Sequence, residues 1–409
     1  MRVLLISLFA CLPEPPTVPD PTPAPAPAPV AVQAPVIEYR LPAHDVGSPA
    51  ATPTDASLDA ARAQLLTIVQ ERTGDPLNPW AIGHGMLVLG EEMKLDNGKL
   101  ALPWLFEEYA EWVDVGSESL VRFPPSRGEI RIEPHTDLML KAFMEVGLPL
   151  ERRFLVQGKP ASLEQLYRHS VWRTWSDGKQ TNFRNMNDTP WSLQGIATLA
   201  PQGLSWTAAN GQPTSLDPFT DAVVSDLHSQ TQFMREAMSK GEAVEKQRQG
   251  IFAYTCGGQH LLQGAAYAVA RGFGSEQSRQ WVVDEVDVLF WRLDIELAIY
   301  DKTIAENPTF APLLFEQRLK FLGHFLETGH KLAAIGIYTP NEKQAADLAR
   351  ARMELVSTVE KLQELGAFDK LDTYRADPKG YQTYLDFIGD SAHAIRGIDL
   401  STGAVSIRY

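Results

Sequence analysis

Tyr254-Thr-Cys-Gly-Gly-Gln-His260-Leu-Leu-Gln-Gly264-Ala-Ala-Tyr-Ala268 is the stretch on which the reading of this chain turns. It lies in a run from Gly250 to Ala270 that holds no charged residue, within a sequence that is 22% charged overall. Cysteine, histidine and glutamine persist where charge is excluded. A helix that is apolar on most sides is covered on most sides, so the segment is expected inside a helical assembly whose interior must still satisfy several polar groups. Cys256 and the two glycines after it are small enough to sit at a close helix contact. His260, one turn on, is expected to face a polar interior.

Four other segments share this character. Asn78-Pro-Trp-Ala-Ile-Gly-His84-Gly-Met-Leu-Val-Leu and Thr189-Pro-Trp191-Ser-Leu-Gln194-Gly-Ile-Ala are free of charge. Phe321–Gly336 carries only Glu327 and Lys331 as charges, and Phe387–Ile398 only Asp390 and Arg396. Between them run amphipathic helices: one opened by Asp55 and stopped at Gly74, one over 277–304 with Val286, Leu289, Phe290, Leu293 and Leu297 at spacings of three and four, and one over 342–365. Glycines in the enclosed segments (Gly264, Gly323, Gly397) predict close helix packing, at about 1 kcal/mol each relative to alanine. Leu95-Asp-Asn-Gly reads as a tight hairpin. Segments 121–132 and 199–215 read as loops or β-hairpins.

The chain is therefore expected to be all-α, with alternating outer and inner helical hairpins, about five of them, forming one helical domain over 54–409. This alternation resembles an α/α toroid, the barrel of helical hairpins used by terpene cyclases and many glycan-processing enzymes. The resemblance covers about residues 55–400 and rests on pattern. It implies a central cavity, with the irregular insertions walling its mouth. The toroid is incomplete at that count, and a stacked helical solenoid is the alternative.

The N-terminus suggests an address. Met1-Arg2 precedes the apolar run Val3–Ala10 and then Cys11, the layout of an export signal. Leu8-Phe-Ala-Cys11 resembles the lipobox of bacterial lipoproteins, which implies a signal peptide over 1–10 and an acylated Cys11 anchored in a membrane of the bacterial cell envelope. Ten prolines between Pro13 and Pro35, many alternating with alanine, favour extended polyproline II, a spacer on the order of 70 Å at about 3.1 Å per residue. Residues 11–53 are read as that lipidated tether. With Cys11 acylated, no intramolecular disulfide is possible and the fold rests on its core.

Lys plus Arg number 37 against 51 Asp plus Glu, giving a net charge of −14. No basic run is interleaved with aromatics, which argues against a nucleic-acid partner. The chain has no phosphate-binding glycine loop, no Gly-x-Ser-x-Gly elbow and no His-Glu-x-x-His. What it offers is a polar set on the enclosed helices. His84, Trp191, Gln194, Tyr254, His260, His324 and His393 are the candidate ligand-binding residues. Glu327-x-x-His330 and Asp390-x-x-His393 each put a carboxylate and an imidazole on one helical face. Such pairs resemble those of dinuclear metal sites in ferritin-like bundles, and Cys256 with His260 suits zinc. A divalent metal is thus the candidate cofactor. Tryptophans at 172, 175, 191 and 206 interleave with amides and acids, as sugar-ring recognition requires. Asp188 and Glu107 are the candidate acid/base residues. Three functions remain open: an envelope lipoprotein that binds or processes a glycan or other small ligand, a non-catalytic scaffold for an envelope protein, and a metal-dependent enzyme.

Cys11→Ser is expected to move the protein from the membrane to the soluble fraction on cell fractionation; unchanged membrane association would count against the anchor.

Overall fold

Local signals start the helices. The Asp55 carboxylate accepts from the backbone N–H groups of Ser57 and Leu58, Asn78 caps the next helix through Ala81 with Pro79 at its first position, and Asn341 forms a capping box with Gln344. The computed structural model describes residues 32–40 and 45–409; Cys11, the signal-like segment and the start of the proline stretch lie outside the described residues. The α-helices among them are α1 (Ala56–Arg72), α2 (Pro79–Leu89), α3 (Ala101–Tyr109), α4 (Leu138–Val146), α5 (Leu163–Arg173), α6 (Thr189–Ala197), α7 (Leu216–Gln230), α8 (Gln232–Lys240), α9 (Gln259–Ala270), α10 (Glu276–Glu306), α11 (Ala311–Ala334), α12 (Glu342–Glu364), α13 (Leu371–Ala376) and α14 (Tyr381–Thr402). Among the described residues strands occur only as short antiparallel pairs, so the fold is all-α. None of these helices is long and apolar enough to cross a membrane.

Six helices form an inner ring. α2 packs on α4, α4 on α6, α6 on α9, α9 on α11, α11 on α14, and α14 returns to α2. The helices that precede them pack outside: α1 against α14, α12 and α2; α5 against α6; α7 against α6, α9 and α10; α10 against α9, α11 and α12. The inner members are buried on nearly every side, as their low charge implied: every residue of α6 is buried, and so are eleven of the twelve in α9. Five hairpins were expected from charge-poor segments, and the sixth inner helix is α4. Its Lys141 and Glu145 are buried and paired at 3.1 Å, so its charges disguise an inner helix as an outer one.

Two more expectations need correction. Residues 32–40 and 45–53 pack on the helical domain rather than serving as spacer. Ala34 and Ile37 are buried, the Arg40 N–H donates to the Leu199 carbonyl at 2.9 Å, and Asp45–Val46 pairs with Ile407–Arg408. Proline thins beyond Pro35 and apolar side chains take over, which gives the segment something to bury. The quoted stretch is also not one helix. Two short 3₁₀ turns, Gly250–Ala253 and Thr255–Gly258, come first, and α9 begins only at Gln259.

The insertions behave as read. Leu95 N–H donates to the Lys99 carbonyl at 2.8 Å across the Asn-Gly turn. Ser126–Arg127 pairs with Ile130–Arg131, and Ser205–Thr207 with Pro213–Ser215.

Glycine allows the close approach of α11 and α14 in the ring. A Cβ on Gly397 of α14 would lie 2.9 Å from the Gly323 carbonyl oxygen and 3.1 Å from the Glu327 backbone nitrogen of α11. Backbone cannot rotate aside. Gly397→Ala is therefore expected to destabilise the protein, because overpacking at about 1–3 kcal/mol outweighs the roughly 1 kcal/mol alanine gains in helix propensity. Urea unfolding measures the balance; a stabilised variant would mean α11 and α14 are free to separate.

Candidate functional site

A buried ionic plug sits inside the ring, and beside it the ring opens to the surface. The open end is a cavity of about 420 Å³, within the usual range of small-molecule sites. Its lining comes from the first turns of α4, α6 and α9, the first two turns of α2, the N-terminal half of α14 from Tyr381 to His393, the middle of α11, and Glu129, Ile130 and Arg131 of the 126–131 hairpin. One expected insertion thus does wall the mouth.

The plug is ionic. Glu327 on α11 lies 2.8 Å from the Lys331 ammonium, which also reaches Glu145 of α4 at 2.8 Å. Arg396 of α14 approaches Glu145 at 3.4 Å, and Gln194 of α6 donates to it at 2.7 Å. Gln263 of α9 accepts from Lys331 at 3.1 Å and donates to Thr328 at 2.8 Å. Although burial opposes it, the surroundings hold both carboxyls below the usual carboxylate range: Lys331, the His393 hydrogen bond and Lys141 for Glu327, and Lys141, Lys331 and Arg396 for Glu145. Two carboxylates thus face three cations, Lys141, Lys331 and Arg396.

Above the plug lies a layer of imidazoles. The rings of His324 and His393 are 4.1 Å apart, His260 and His324 4.8 Å, His260 and His393 4.9 Å, and His84 and His393 5.5 Å. His393 is oriented by its Nδ1, 2.8 Å from Glu327 Oε2, and His84 by its Nδ1, 2.9 Å from the Trp80 carbonyl. Neither nitrogen of His324 has a hydrogen-bond partner among the described residues, nor does Nδ1 of His260. Burial is the main force lowering all four, and the Lys141 charge below adds to it. His84 is pushed down to about 3. At neutral pH these imidazoles are unprotonated.

On the α11–α14 side, acids meet one lysine. Lys320 lies 3.4 Å from Asp386, 3.5 Å from Asp390 and 4.0 Å from Glu316. Burial, with Glu316 adding to it, raises Asp386 to about 6 and Asp390 well above its ordinary value, against the pull of Lys320. The cavity therefore sets Asp390, whose carboxyl burial shifts toward its protonated form, beside unprotonated imidazoles that can accept a proton. The mouth is aromatic. His135 stacks on Trp191 at 4.1 Å with the rings nearly parallel, and its Nδ1 lies 2.8 Å from Asp188.

Of the residues singled out from the sequence, His84, Trp191, Cys256, His260, His324, Asp390 and His393 line this cavity. Asp188 stands behind His135, and Glu327 behind His393. Gln194 is in the plug. Tyr254 donates to Asp226 at 2.7 Å away from the cavity, and Glu107 is exposed on α3. Neither carboxylate-x-x-His pair acts as a unit. Glu327 serves His393, while His330 turns to Ser48 Oγ at 2.7 Å; Asp390 faces Lys320 and His324. Trp80, Arg131, His135, Lys320, Tyr381 and Asp386 line the site without having been singled out. Pro79-Trp80 opening an uncharged segment, like Pro190-Trp191, was the one usable signal among them.

The depressed His84 value fixes a pH dependence. Unfolding returns His84 to about 6.5, so its contribution is complete above that pH and is lost as the pH falls toward the folded value. Between pH 6.5 and 5 the wild type is expected to lose about 2 kcal/mol relative to His84→Gln, at about 1.4 kcal/mol per pH unit. Urea melts of both proteins across that interval check it; parallel pH profiles would mean that His84 titrates normally.

No protein-family model, curated protein or solved structure matches this chain, so the site is read from its own geometry.

Proposed function

We propose that this protein is a lipoprotein tethered in the bacterial cell envelope whose helical ring, an α/α toroid, holds a glycan or a similar small polar ligand in the cavity at its open end. One observation carries the reading: the cavity combines flat apolar faces with convergent polar groups. Trp80, Trp191 and Tyr381 supply the faces, and Asn78, Arg131, Gln382 and Asp386 supply donors and acceptors. A sugar presents the same two surfaces, an apolar ring face and a polar edge. Asp390, its carboxyl raised by burial, opposite unprotonated imidazoles supplies the kind of donor and acceptor that acid–base processing of such a ligand needs. A purely structural scaffold with a filled centre has no use for this space.

Trp80 and Trp191 make the test direct. Titration of the protein with neutral, amino and uronic sugars, followed by tryptophan fluorescence and calorimetry, is expected to give saturable binding. Trp191→Ala should weaken it about tenfold, the loss of one stacking contact. Absence of binding across all three sugar classes, or equal binding by Trp191→Ala, would overturn the proposal.

A further inference from the structure

We propose that Cys256, His260 and His324 form a zinc site in the wall of this cavity, with its fourth coordination position open to the cavity. The inference is independent of the sugar reading: a cavity that holds zinc and binds no sugar would leave it intact.

Geometry comes first. The Cys256 thiol and one ring nitrogen from each of His260 and His324 lie within 4.8 Å of one another. Tetrahedral zinc, with bonds of about 2.3 Å to sulfur and about 2.0 Å to nitrogen, sets such atoms roughly 3.3–3.6 Å apart. A contraction of about an ångström, within reach of side-chain rotation, closes the site. The three ligands come from separate supports: the turn before α9, the first turn of α9, and the middle of α11.

The second observation is independent. His324 is wholly buried, yet neither of its nitrogens has a hydrogen-bond partner among the described residues, and His260 Nδ1 has none. Buried imidazole nitrogens are almost always satisfied, so these lone pairs want an acceptor of electrons. Surroundings suited to ligation are in place. His324 Nε2 lies on the Asp390 side, 3.8 Å from Oδ1, while Nδ1 lies 4.0 Å from Glu327 Oε2. Metal taken at Nε2 would leave the Nδ1–H directed at an anionic carboxylate, the usual outer partner of a zinc-bound histidine.

The backbone aims the sulfur. Cys256, Gly257 and Gly258 are consecutive left-handed residues, at φ of 52°, 57° and 73°. For cysteine this conformation is uncommon and is held only where the surroundings enforce it. Here Arg292, itself fixed by Glu296 at 2.6 Å, donates to the Gly257 carbonyl at 2.9 Å. One thiolate with two imidazoles also suits copper, but copper sites of that kind add a weak axial ligand, commonly methionine, and no methionine lines this cavity. Zinc with an open position is the better match, and open zinc sites are the reactive class.

The full-length protein, stripped with chelator and titrated with zinc chloride by calorimetry, is expected to take up the metal stoichiometrically and to melt at a higher temperature when loaded. Cobalt(II) in its place should give the near-ultraviolet charge-transfer absorption of a thiolate ligand and the strong visible bands of a tetrahedral site. Cys256→Ser should abolish the near-ultraviolet absorption and weaken zinc by more than about tenfold, with the metal-free melting temperature unchanged. His324→Gln should weaken zinc similarly; should it not fold, Cys256→Ser carries the test alone. No uptake, uptake by Cys256→Ser equal to the wild type, or an octahedral cobalt spectrum without thiolate absorption would each overturn the assignment.

Discussion

The closed ring depends on one buried cluster, in which Glu327 and Glu145 share Lys331, Lys141 and Arg396. Burying five charges is costly, and buried ion pairs contribute little net stability compared with apolar packing of the same volume. Their strength is geometric. Removing one partner strands the others in low dielectric, at about 3–5 kcal/mol, so a slipped helix that loses a contact is strongly disfavoured. The cluster ties α4, α11 and α14 directly and reaches α6 and α9 through Gln194 and Gln263. We read it as the register lock for five of the six inner helices, acting where Gly323 and Gly397 already bring α11 and α14 to backbone contact.

The same cluster sets the chemistry above it. With two anions against three cations, it presents net positive charge to the imidazole layer. Burial and that charge act together to keep His84, His260, His324 and His393 unprotonated. Across the cavity, three carboxyl groups share Lys320, and the two of them on α14 are raised. The two sets are thereby shifted in opposite directions: burial moves the imidazoles down, toward their neutral form, and moves Asp386 and Asp390 up, toward theirs. Divergent environments of this kind are how one site comes to hold both a donor and an acceptor.

Much of this was legible in the sequence, and the failures share a cause. Absence of charge located five inner helices correctly because an unpaired charge cannot be buried. It missed α4 because Lys141 and Glu145 neutralise each other, and composition does not distinguish a solvated charge from a paired one. Lys320 and Asp386 were passed over for the same reason. Helical spacing told which residues share a face but not which partner each would take, so Glu327 and His330 looked like a pair and turned out to serve His393 and Ser48. The tryptophans show the limit of clustering. Trp191 lines the cavity, whereas Trp206 rivets the Thr174 carbonyl, Trp104 that of Pro76 and Trp112 that of Val156. Left-handed Cys256 was invisible, since nothing local in the sequence asks a cysteine to adopt that conformation.

A packed core offers a cheaper way to fill this space. Leucine or phenylalanine at 84, 260, 324 and 393 would exclude water without leaving a nitrogen unpaired, and volume-conserving apolar swaps are what cores tolerate best. Instead the ring keeps three imidazoles in mutual contact with His84 against one of them, leaves three of their nitrogens unsatisfied among the described residues, and places a positive plug beneath them. Local rules are broken here, and such violations concentrate at functional sites. The layer above the plug is therefore better understood as a surface the fold was built to present than as an interior it was built to fill.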